Sequence, residues 1–492
     1  MTATMQSVPA LIDGREIWST DAGMMSRSDP STGRPLADVV VAGQTEVDLA
    51  VAVGRTTFDR GAWSNVAPAE RGAALLRLAD LVERDAPLLA AIDSAEAGKP
   101  IRECLEGDVG AALEALRWFA GAADKLYGAT SVTVSSEVGM TFREPMGVVA
   151  AIMPWNYPMA QAAWKIGPAL AAGNSLILKP SEWTPGSALH IAALAIEAGI
   201  PAGAISVLPG TGAVTGSALA RHDGISAISF TGSVGTGREI LKAAAGSNFK
   251  RVSLEMGGKS PQVLMQDALT FGDRLIDHMI DSAFMTMGEN CTAGSRVLVH
   301  ESIADEVTSR FVDRARSLVV GDASDQSTDI GPLITEGAAR RVRGLVERAK
   351  AEGAELLLGD EDVSQRGPNF VAPTVLRLER QDHEIQRTEV FGPVVTISTF
   401  SSENEAVALA NDTDFGLAAS LWTRDINRAM RMARAIEAGV ISINSYSEGG
   451  MSAPFGGYKQ SGFGGKERGM DAFEQWTQTK TVWLQLHGDG SA

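Results

Sequence analysis

The chain has 492 residues, of which 45% are hydrophobic, and its mean hydropathy is +0.02. This length and composition exclude a disordered protein and predict two or three co-folded lobes with a cleft between them. The net charge of -17 and the pI of about 4.9 argue against nucleic acid or an anionic membrane surface as a partner, because both would be repelled.

The two cysteines, Cys104 and Cys291, give no disulfide framework, which suits a reducing compartment. The first residues lack the basic and apolar regions of a secretory signal, and no apolar run reaches membrane-spanning length. We therefore expect a cytoplasmic protein without a membrane partner. The six histidines show no metal-ligand spacing, so we expect no metal site.

Apolar residues recur at helical spacing over 71–84, and from Gly147 onward short apolar strands alternate with amphipathic helices. This alternation predicts successive βαβ units, hence an α/β fold with a Rossmann-type, doubly wound parallel sheet. Ligands of such sheets bind beyond the carboxyl ends of the strands. The predicted strands are 148–153, 176–178, 205–208, 225–230 and 252–254, and the predicted helices are 185–198 and 234–245.

A second α/β lobe is predicted after Lys259, with strands such as 297–300 and 440–444 and a helix over 271–285. Two short alternating stretches, 132–135 and 481–486, fit neither lobe and are predicted to be edge strands. Paired with another subunit, they would form an oligomer interface.

A glycine-rich turn, Thr231–Gly237, lies between a predicted strand and helix with the spacing GxxGxG. Its backbone amides and the helix N-terminus can face a phosphate, although a plain turn explains the glycines equally well. Glu182 can accept hydrogen bonds from ribose hydroxyls and would repel a 2′-phosphate, which favours NAD over NADP. Capping of a helix start by Lys179 and Glu182 is the competing interpretation.

Cys291 lies in a polar, glycine-rich stretch, which favours a reactive thiol, although a lone cysteine is more often structural. Glu289, if it lies close, would raise the pKa of the thiol by like-charge repulsion. Glu255 ends a predicted strand before two glycines. It can therefore reach a cleft as a general base, or else be a surface carboxylate.

Taken together, these motifs resemble the NAD(P)-dependent aldehyde dehydrogenase superfamily over nearly the whole chain. The finer similarity is to the ω-aminoaldehyde branch, especially γ-glutamyl-γ-aminobutyraldehyde dehydrogenases. The general resemblance is carried by PWNYP (154–158), WKIGPALAAGN (164–174), LKPSE (178–182), FTGS (230–233), LEMGGKSP (254–261), GENC (288–291), EVFGPV (389–394) and PFGGYKQSG (454–462). The finer one is carried by RWFAGAADKLYG (117–128), WTRDINRAMRM (422–432) and NSYSEGGMSAPFGGYKQSG (444–462).

The resemblance implies that Cys291 is the nucleophile that forms a thioester and that Glu255 activates the hydrolytic water. Asn156 and the Cys291 amide would stabilise the oxyanion. Lys165 and Glu467 match a proton-exit pair. The residues implied in cofactor binding are Trp155, Lys179, Ser181, Glu182, Gly212, Gly216, Thr231, Ser233, Glu389 and Phe391. Two positions depart from the common pattern, with Glu289 where the family often has Gln and Thr286 where it often has Asn.

The implied substrate tunnel is aromatic, formed by Tyr157, Trp164 and Phe455, and can hold an aliphatic chain or a cationic amine. Asp108 and Glu448 would attract that amine at the entrance. An ω-amino or γ-glutamyl-aminobutyraldehyde is therefore the expected substrate, with a broad-range or betaine aldehyde dehydrogenase as the alternative. Glu255 argues against a CoA-acylating enzyme, and a non-enzymatic scaffold protein would have lost a catalytic or cofactor site.

The resemblance also predicts the domain organisation and a homodimer or homotetramer. The expected NAD-binding domain covers 1–126 and 146–257, and the expected catalytic domain covers 258–460. A small β oligomerisation arm is expected over 127–145 and 473–492.

Overall fold

The fold of the chain is given by a computed structural model, which describes residues 7–131 and 133–486. Helices and strands alternate along most of the chain, as the hydrophobic pattern predicts for an α/β protein. The α-helices are Gln44–Asp59, Pro68–Arg84, Ala86–Ala97, Ile101–Glu103, Val109–Ala122, Pro158–Ala172, Gly186–Glu197, Ser217–Arg221, Val234–Ala245, Asp273–Phe284, Ala304–Arg316, Glu336–Ala351, Glu384–Arg387, Glu403–Asn411 and Ile426–Ala435.

The first sheet has eight strands, and its five central strands are parallel. The chain order of these five strands reverses between Val148–Ile152 and Ala227–Gly232, which lie side by side. Such a reversal opens a crevice at the carboxyl ends of the strands, where ligands of doubly wound sheets bind. Across the sheet the strands are Gly462–Phe463, Arg251–Met256, Ala227–Gly232, Val148–Ile152, Ser175–Lys179, Ile205–Val207, Ala10–Ile12 and Arg15–Ile17.

The second sheet has seven strands and confirms the predicted second α/β lobe. Its pairs are parallel except for the outer pair of Glu355–Leu358 with Thr374–Arg377. Across this sheet the strands are Glu355–Leu358, Thr374–Arg377, Val394–Phe400, Arg296–His300, Pro261–Leu264, Ala418–Trp422 and Val440–Ile443.

A third, antiparallel sheet contains Ala129–Ser131, Glu137–Pro145 and Thr477–Gln485. The predicted strand over 481–486 falls on the last of these. The predicted strand over 132–135 is wrong: residues 133–135 belong to the tight connection before Glu137–Pro145, and residue 132 lies outside the described residues. The Thr133 hydroxyl donates to the Glu137 carbonyl and closes this connection, which leaves no register for a strand.

The helix Pro158–Ala172 is buried along its whole length between the first sheet and the helices around it. Its Gly167 is required by packing, since a Cβ there would lie 2.6 Å from the Phe119 ring. The helix begins with a proline, which suits the first turn, and ends at Gly173 in the left-handed conformation. The helix thereby holds the buried side chains of Trp164 and Lys165 against the first sheet.

Among the described residues, no helix combines the length and the apolar character that crossing a membrane requires. Residues 1–6 and 487–492 of the predicted domain ranges lie outside the described residues. The domain boundaries themselves stay a prediction.

We expect Glu96→Ala to lower the free energy of unfolding by about 3 kcal/mol, because it breaks a buried ion pair. The Glu96 carboxylate lies 2.6 Å from Arg27 and accepts the Gly186 N–H at 2.9 Å, with both charged side chains under one-tenth exposed. The matched control is Glu83→Ala, which breaks an exposed pair with Arg117 at 2.6 Å. Urea titration of both variants checks this, and equal stabilities would contradict it.

Candidate active site

Cys291 lies where two cavities meet beyond the carboxyl ends of the central strands. The first cavity, of about 360 Å³, runs along the crevice between the two central strands. The second, the inner cavity, of about 420 Å³, runs from the thiol past the helix Pro158–Ala172. One side chain therefore borders two separate binding spaces.

The first cavity brings together six of the residues predicted to bind a cofactor or an oxyanion. It is lined by Trp155, Asn156, Thr231, Ser233, Glu389 and Phe391, among others. The Trp155 and Phe391 rings meet edge to face at 5.5 Å. Glu389 accepts the Gly258 N–H at 3.1 Å, and a Cβ on Gly257 would lie 2.2 Å from its carboxylate, so a larger residue there would displace the Glu389 side chain. Burial raises the pKa of Glu389 to about 7.

A third cavity, of about 440 Å³, lies over the glycine-rich turn. The predicted cofactor residues Gly212 and Gly216 line it, and they bound a π-helical turn, Gly212–Gly216. Ser233 caps the neighbouring helix, accepting the Thr236 N–H at 3.3 Å. Free backbone donors at such a helix start suit a phosphate.

Three further predicted cofactor residues lie at the end of the strand Ser175–Lys179 and just after it, and none of them lines the three cavities. Lys179 and Ser181 are buried, whereas Glu182 is about one-quarter exposed. The Lys179 ammonium lies 3.4 Å from the Glu182 carboxylate and also donates to the Pro180 carbonyl at 3.0 Å. Lys179 and Glu182 thus form a donor and acceptor pair that a ribose can bridge.

The thiol of Cys291 is held in its protonated form by its surroundings. Burial raises its pKa well above the usual value, and the carboxylates of Glu448, Glu255 and Glu389 raise it further. Glu289 is not among the main groups that raise it, contrary to the sequence hypothesis. Activation of the thiol therefore requires an added positive charge or a base.

Glu289 points away from the thiol. Its carboxyl accepts the Ile334 N–H at 3.2 Å, and burial raises its pKa well above the usual value. A neutral carboxyl presents a carbonyl acceptor, as the more common glutamine would. Its backbone carbonyl accepts the Asn156 amide at 2.8 Å, which fixes that amide beside Cys291.

Glu255 ends the strand Arg251–Met256 and is 2% exposed. Burial raises the pKa of its carboxyl well above the usual value, and Glu467 raises it further. Its Oε1 atom is buried without a hydrogen-bond partner in the described part of the chain. Lys165 and Glu467, the predicted proton-exit pair, form an ion pair at 2.6 Å, and Ser229 accepts from Lys165 at 2.9 Å.

Aromatic and charged side chains alternate around the inner cavity. Tyr157, Trp164 and Phe455, the predicted tunnel residues, all line it. The Arg468 guanidinium lies 4.1 Å from the centre of the Trp164 ring and 4.6 Å from that of Phe455. The Lys99 ammonium lies 3.7 Å from the centre of the Tyr157 ring. The aromatic rings thus already contact two cations of the protein.

Both carboxylates predicted at the entrance line this cavity, but each is paired with one of those cations. Asp108 accepts from Lys99 at 2.7 and 2.8 Å, and Glu448 accepts from Arg468 at 2.6 Å. Each carboxylate thus has a cation beside it, although the Glu448 charge still raises the pKa of Cys291. Asp108 belongs to a π-helical turn, Cys104–Asp108, at the cavity wall.

Sequence analysis missed a hydrogen-bonded chain on both sides of Cys291. The Tyr446 hydroxyl accepts the Asn290 amide at 2.8 Å and lies 2.9 Å from the Thr292 hydroxyl, which donates to Glu448 at 2.6 Å. It also missed Lys99, Glu103, Arg341 and Arg468. Only Arg468 carried a signal, since it directly follows the predicted Glu467.

Comparison with known proteins agrees with this geometry. The sequence pattern of the aldehyde dehydrogenase family matches residues 18–482. The chain is 42% identical to the aminoacetaldehyde dehydrogenase of Pseudomonas aeruginosa, over 96% of this chain and 95% of that protein. It is 43% identical to the NADP/NAD-dependent aldehyde dehydrogenase PuuC of Escherichia coli, over 93% and 92%. The indole-3-acetaldehyde dehydrogenase AldA of P. syringae, solved with NAD+ and IAA, superposes with a TM-score of 0.95 at 40% identity, over 97% and 96% of the two chains.

The chain therefore belongs to the aldehyde dehydrogenase family. It is an oxidoreductase that oxidises aldehydes with a nicotinamide dinucleotide. The predicted α/β fold of this family is confirmed.

We expect Glu448→Gln to speed alkylation of Cys291 by iodoacetamide at about pH 8. Removing this charge lowers the pKa of the thiol, so more thiolate is present, by roughly tenfold for each pKa unit. Peptide mass spectrometry over time measures the rate. The control is Glu106→Gln, which lines the same cavity but is not among the main groups that raise the thiol pKa. An unchanged or slower rate in Glu448→Gln would contradict the electrostatic account.

Proposed function

We propose that the chain converts an aldehyde to the carboxylic acid through a hemithioacetal and a thioester on Cys291. The observation that carries this proposal is the position of the thiol between two cavities, one for the dinucleotide and one for the aldehyde. A thiol at that junction can hold the aldehyde carbon while facing the oxidant. Glu255 lines only the aldehyde side, which suits a base for water.

Thiol attack comes first. The Cys291 thiolate adds to the aldehyde carbon, and the oxygen becomes an oxyanion that needs fixed donors. Asn156 supplies a side-chain N–H from its anchored position beside the Cys291 backbone. NAD, when bound, would accept the hydride that leaves the former aldehyde carbon as the thioester carbonyl forms, and its positive nicotinamide would offset the carboxylates that disfavour the thiolate.

Hydrolysis follows oxidation. Glu255, in its ionised form, takes a proton from water, the hydroxide adds to the thioester carbon, and the Cys291 sulfur leaves as thiolate. The proton on Glu255 then needs an exit from a buried site. The Lys165–Glu467 pair would provide that route. The Glu467 charge raises the pKa of Glu255 and the Lys165 charge lowers it, so both groups are near enough to act on this carboxyl.

We propose NAD as the preferred dinucleotide, with NADP as the weaker alternative. Glu182 and Lys179 would hold the adenosine ribose, with Ser181 beside them and Trp155 along the same crevice. A 2′-phosphate would meet the Glu182 carboxylate, and the repulsion would cost affinity. Thr231 and Ser233 would face the pyrophosphate, Gly212 and Gly216 the adenine side, and Glu389 with Phe391 the nicotinamide ribose.

We propose an ω-amino or γ-glutamyl-aminobutyraldehyde as the substrate. The aminoacetaldehyde dehydrogenase and PuuC relatives support an aminoaldehyde. Asp108 is paired with Lys99, and Glu448 is paired with Arg468. Neither carboxylate is therefore free to form the main ion pair with a substrate amine. Glu103 and Glu106 line the same cavity, and in the described part of the chain neither has a cation within 4 Å. Glu106 therefore adds a carboxylate that is in no ion pair within the described residues and that an ammonium group can meet.

The assembly and compartment are also proposals. The third sheet exposes Phe142, Val482, Trp483 and Leu484 along strands that suit an arm paired with a second copy. We propose a homodimer or homotetramer in the cytoplasm, with the arm as its interface. The domain ranges predicted above are likewise part of this proposal.

We expect Glu255→Gln to keep a burst of NADH but to lose most steady turnover, because only deacylation needs this base. In the parent enzyme the pKa of Glu255 is raised, and only the ionised carboxylate acts as the base. The deacylation rate should therefore rise with pH and level off once the pH exceeds that pKa. The glutamine variant should lack this rise. Stopped-flow absorbance at several pH values measures both phases, and loss of the burst together with turnover would instead assign Glu255 to thiol activation.

The substrate proposal is tested by kcat/KM for 4-aminobutyraldehyde, γ-glutamyl-aminobutyraldehyde, betaine aldehyde, hexanal and benzaldehyde, each with NAD and NADP. We expect the amino and γ-glutamyl substrates to lead, and Glu106→Gln to raise their KM but not that of hexanal. A flat or hydrophobic-favouring profile would support a broad-range enzyme, and no NADH from any aldehyde would contradict the oxidation itself.

A further inference from the structure

A strained turn immediately precedes the catalytic stretch. Thr286, Met287 and Gly288 all have positive φ, at 53°, 55° and 69°. This left-handed conformation is uncommon for residues with a Cβ and is least favourable for β-branched residues such as threonine. Such a backbone persists only where its surroundings hold it.

Glycine is required at the end of this turn. A Cβ on Gly288 would lie 2.3 Å from the Gly392 carbonyl, so the turn is packed against the stretch after Phe391. Cys291 follows three residues later, and the Glu289 carbonyl between them anchors Asn156. A shift of this turn would therefore move both the nucleophile and its oxyanion donor.

The Glu103 carboxylate provides the contact that holds the turn. One oxygen, Oε2, accepts both the Thr286 N–H at 2.9 Å and the Thr286 hydroxyl at 3.1 Å. The Tyr157 hydroxyl lies 3.0 Å from the same threonine oxygen. Glu103 ends the short helix Ile101–Glu103, directly before the π-helical turn of the cavity wall. The contact thus ties the wall of the inner cavity to the loop of the nucleophile.

The surroundings of Glu103 determine whether its carboxyl is ionised when it accepts these hydrogen bonds. Burial raises the pKa of its carboxyl to about 7, opposed by Lys99 and by the hydrogen bonds from Thr286, with Asp108 raising it further. Arg102 and Glu106 lie on the neighbouring turns, and Cys104 follows directly. At about pH 8 the carboxylate is therefore mostly ionised, and its hydrogen bonds are charge-assisted.

We propose that Glu103 is a positioning residue that holds the turn Thr286–Gly288, and through it Cys291, in the reactive geometry. The proposal rests on the thioester mechanism proposed above. Glu103 acts through Thr286 and not on the aldehyde. Threonine at 286, where the family often has asparagine, supplies the hydroxyl that completes the contact.

The test uses Glu103→Ala and Thr286→Val in the full chain, assayed at about pH 8. We expect Glu103→Ala to lower kcat about tenfold with a smaller change in KM, since it removes two hydrogen bonds to a charged group. Thr286→Val should lower kcat less, because its N–H still reaches Glu103. The kcat of the double variant should lie within about twofold of that of Glu103→Ala, because both substitutions remove the same contact.

Hydrogen exchange of the peptide over 285–291 gives a readout that needs no turnover. We expect faster exchange of this peptide in Glu103→Ala. If the proposed function is wrong, the parent enzyme forms no NADH, and the exchange result still tests the positioning role of Glu103. The matched control is Glu405→Ala, because Glu405 accepts the N–H and hydroxyl of Ser401 in the same way, at 2.9 and 2.8 Å, far from Cys291 in the chain. That variant should keep the parent kcat and the parent exchange over 285–291.

Two conservative variants separate positioning from a direct role in binding. Thr286→Ser keeps the hydroxyl and should recover most of kcat and of the protection from exchange. Glu103→Gln keeps a carbonyl acceptor but not the charge, so its kcat and its protection should lie between those of Glu103→Ala and the parent enzyme. The proposal is overturned if Glu103→Ala leaves kcat and exchange unchanged, changes KM alone, or is matched in severity by Glu103→Gln.

Discussion

Loss of hydration around Cys291 is the constraint on which the rest of the site depends. The thiol, Glu255 and Glu389 are all pushed toward their uncharged forms by burial. Burying these groups in their uncharged forms costs little electrostatic free energy, but a protonated thiol is a poor nucleophile and a protonated Glu255 is not a base. On this account, reactivity comes from charges that arrive with the ligands, which ties thiolate formation to an occupied first cavity.

Paired charges shape the inner cavity in the same way. Lys99 with Asp108 and Arg468 with Glu448 bring full charges into an aromatic wall without leaving a net charge. The Arg468 pair also reaches the nucleophile, because Glu448 accepts from Thr292 beside Cys291. Substrate recognition and the geometry of the thiol therefore share one network, so substitutions in the wall are expected to affect both.

The parallel sheet and most of its strands follow from the alternation of apolar strands and amphipathic helices. The residues after four of the five central strands line the cavities, and those after Ser175–Lys179 do not. The local pattern failed at 133–135, where residues of alternating polarity form a turn and the Thr133 hydroxyl donates to the Glu137 carbonyl. Asp108 was predicted to attract an amine at the entrance, and its ion pair with Lys99, nine residues earlier in the chain, follows from no regular helical spacing. Contacts such as Glu103 with Thr286, which join residues far apart in sequence, leave no periodic signal.

The most direct test of the central claim is a mass measurement on Glu255→Gln, quenched in acid shortly after mixing with NAD and hexanal. If Cys291 carries the thioester, the peptide that contains it should gain the mass of the aldehyde less two hydrogen atoms, and the same peptide of the Cys291→Ala variant should gain nothing. An unmodified Cys291 peptide despite NADH formation, or acylation of another residue, would contradict the account.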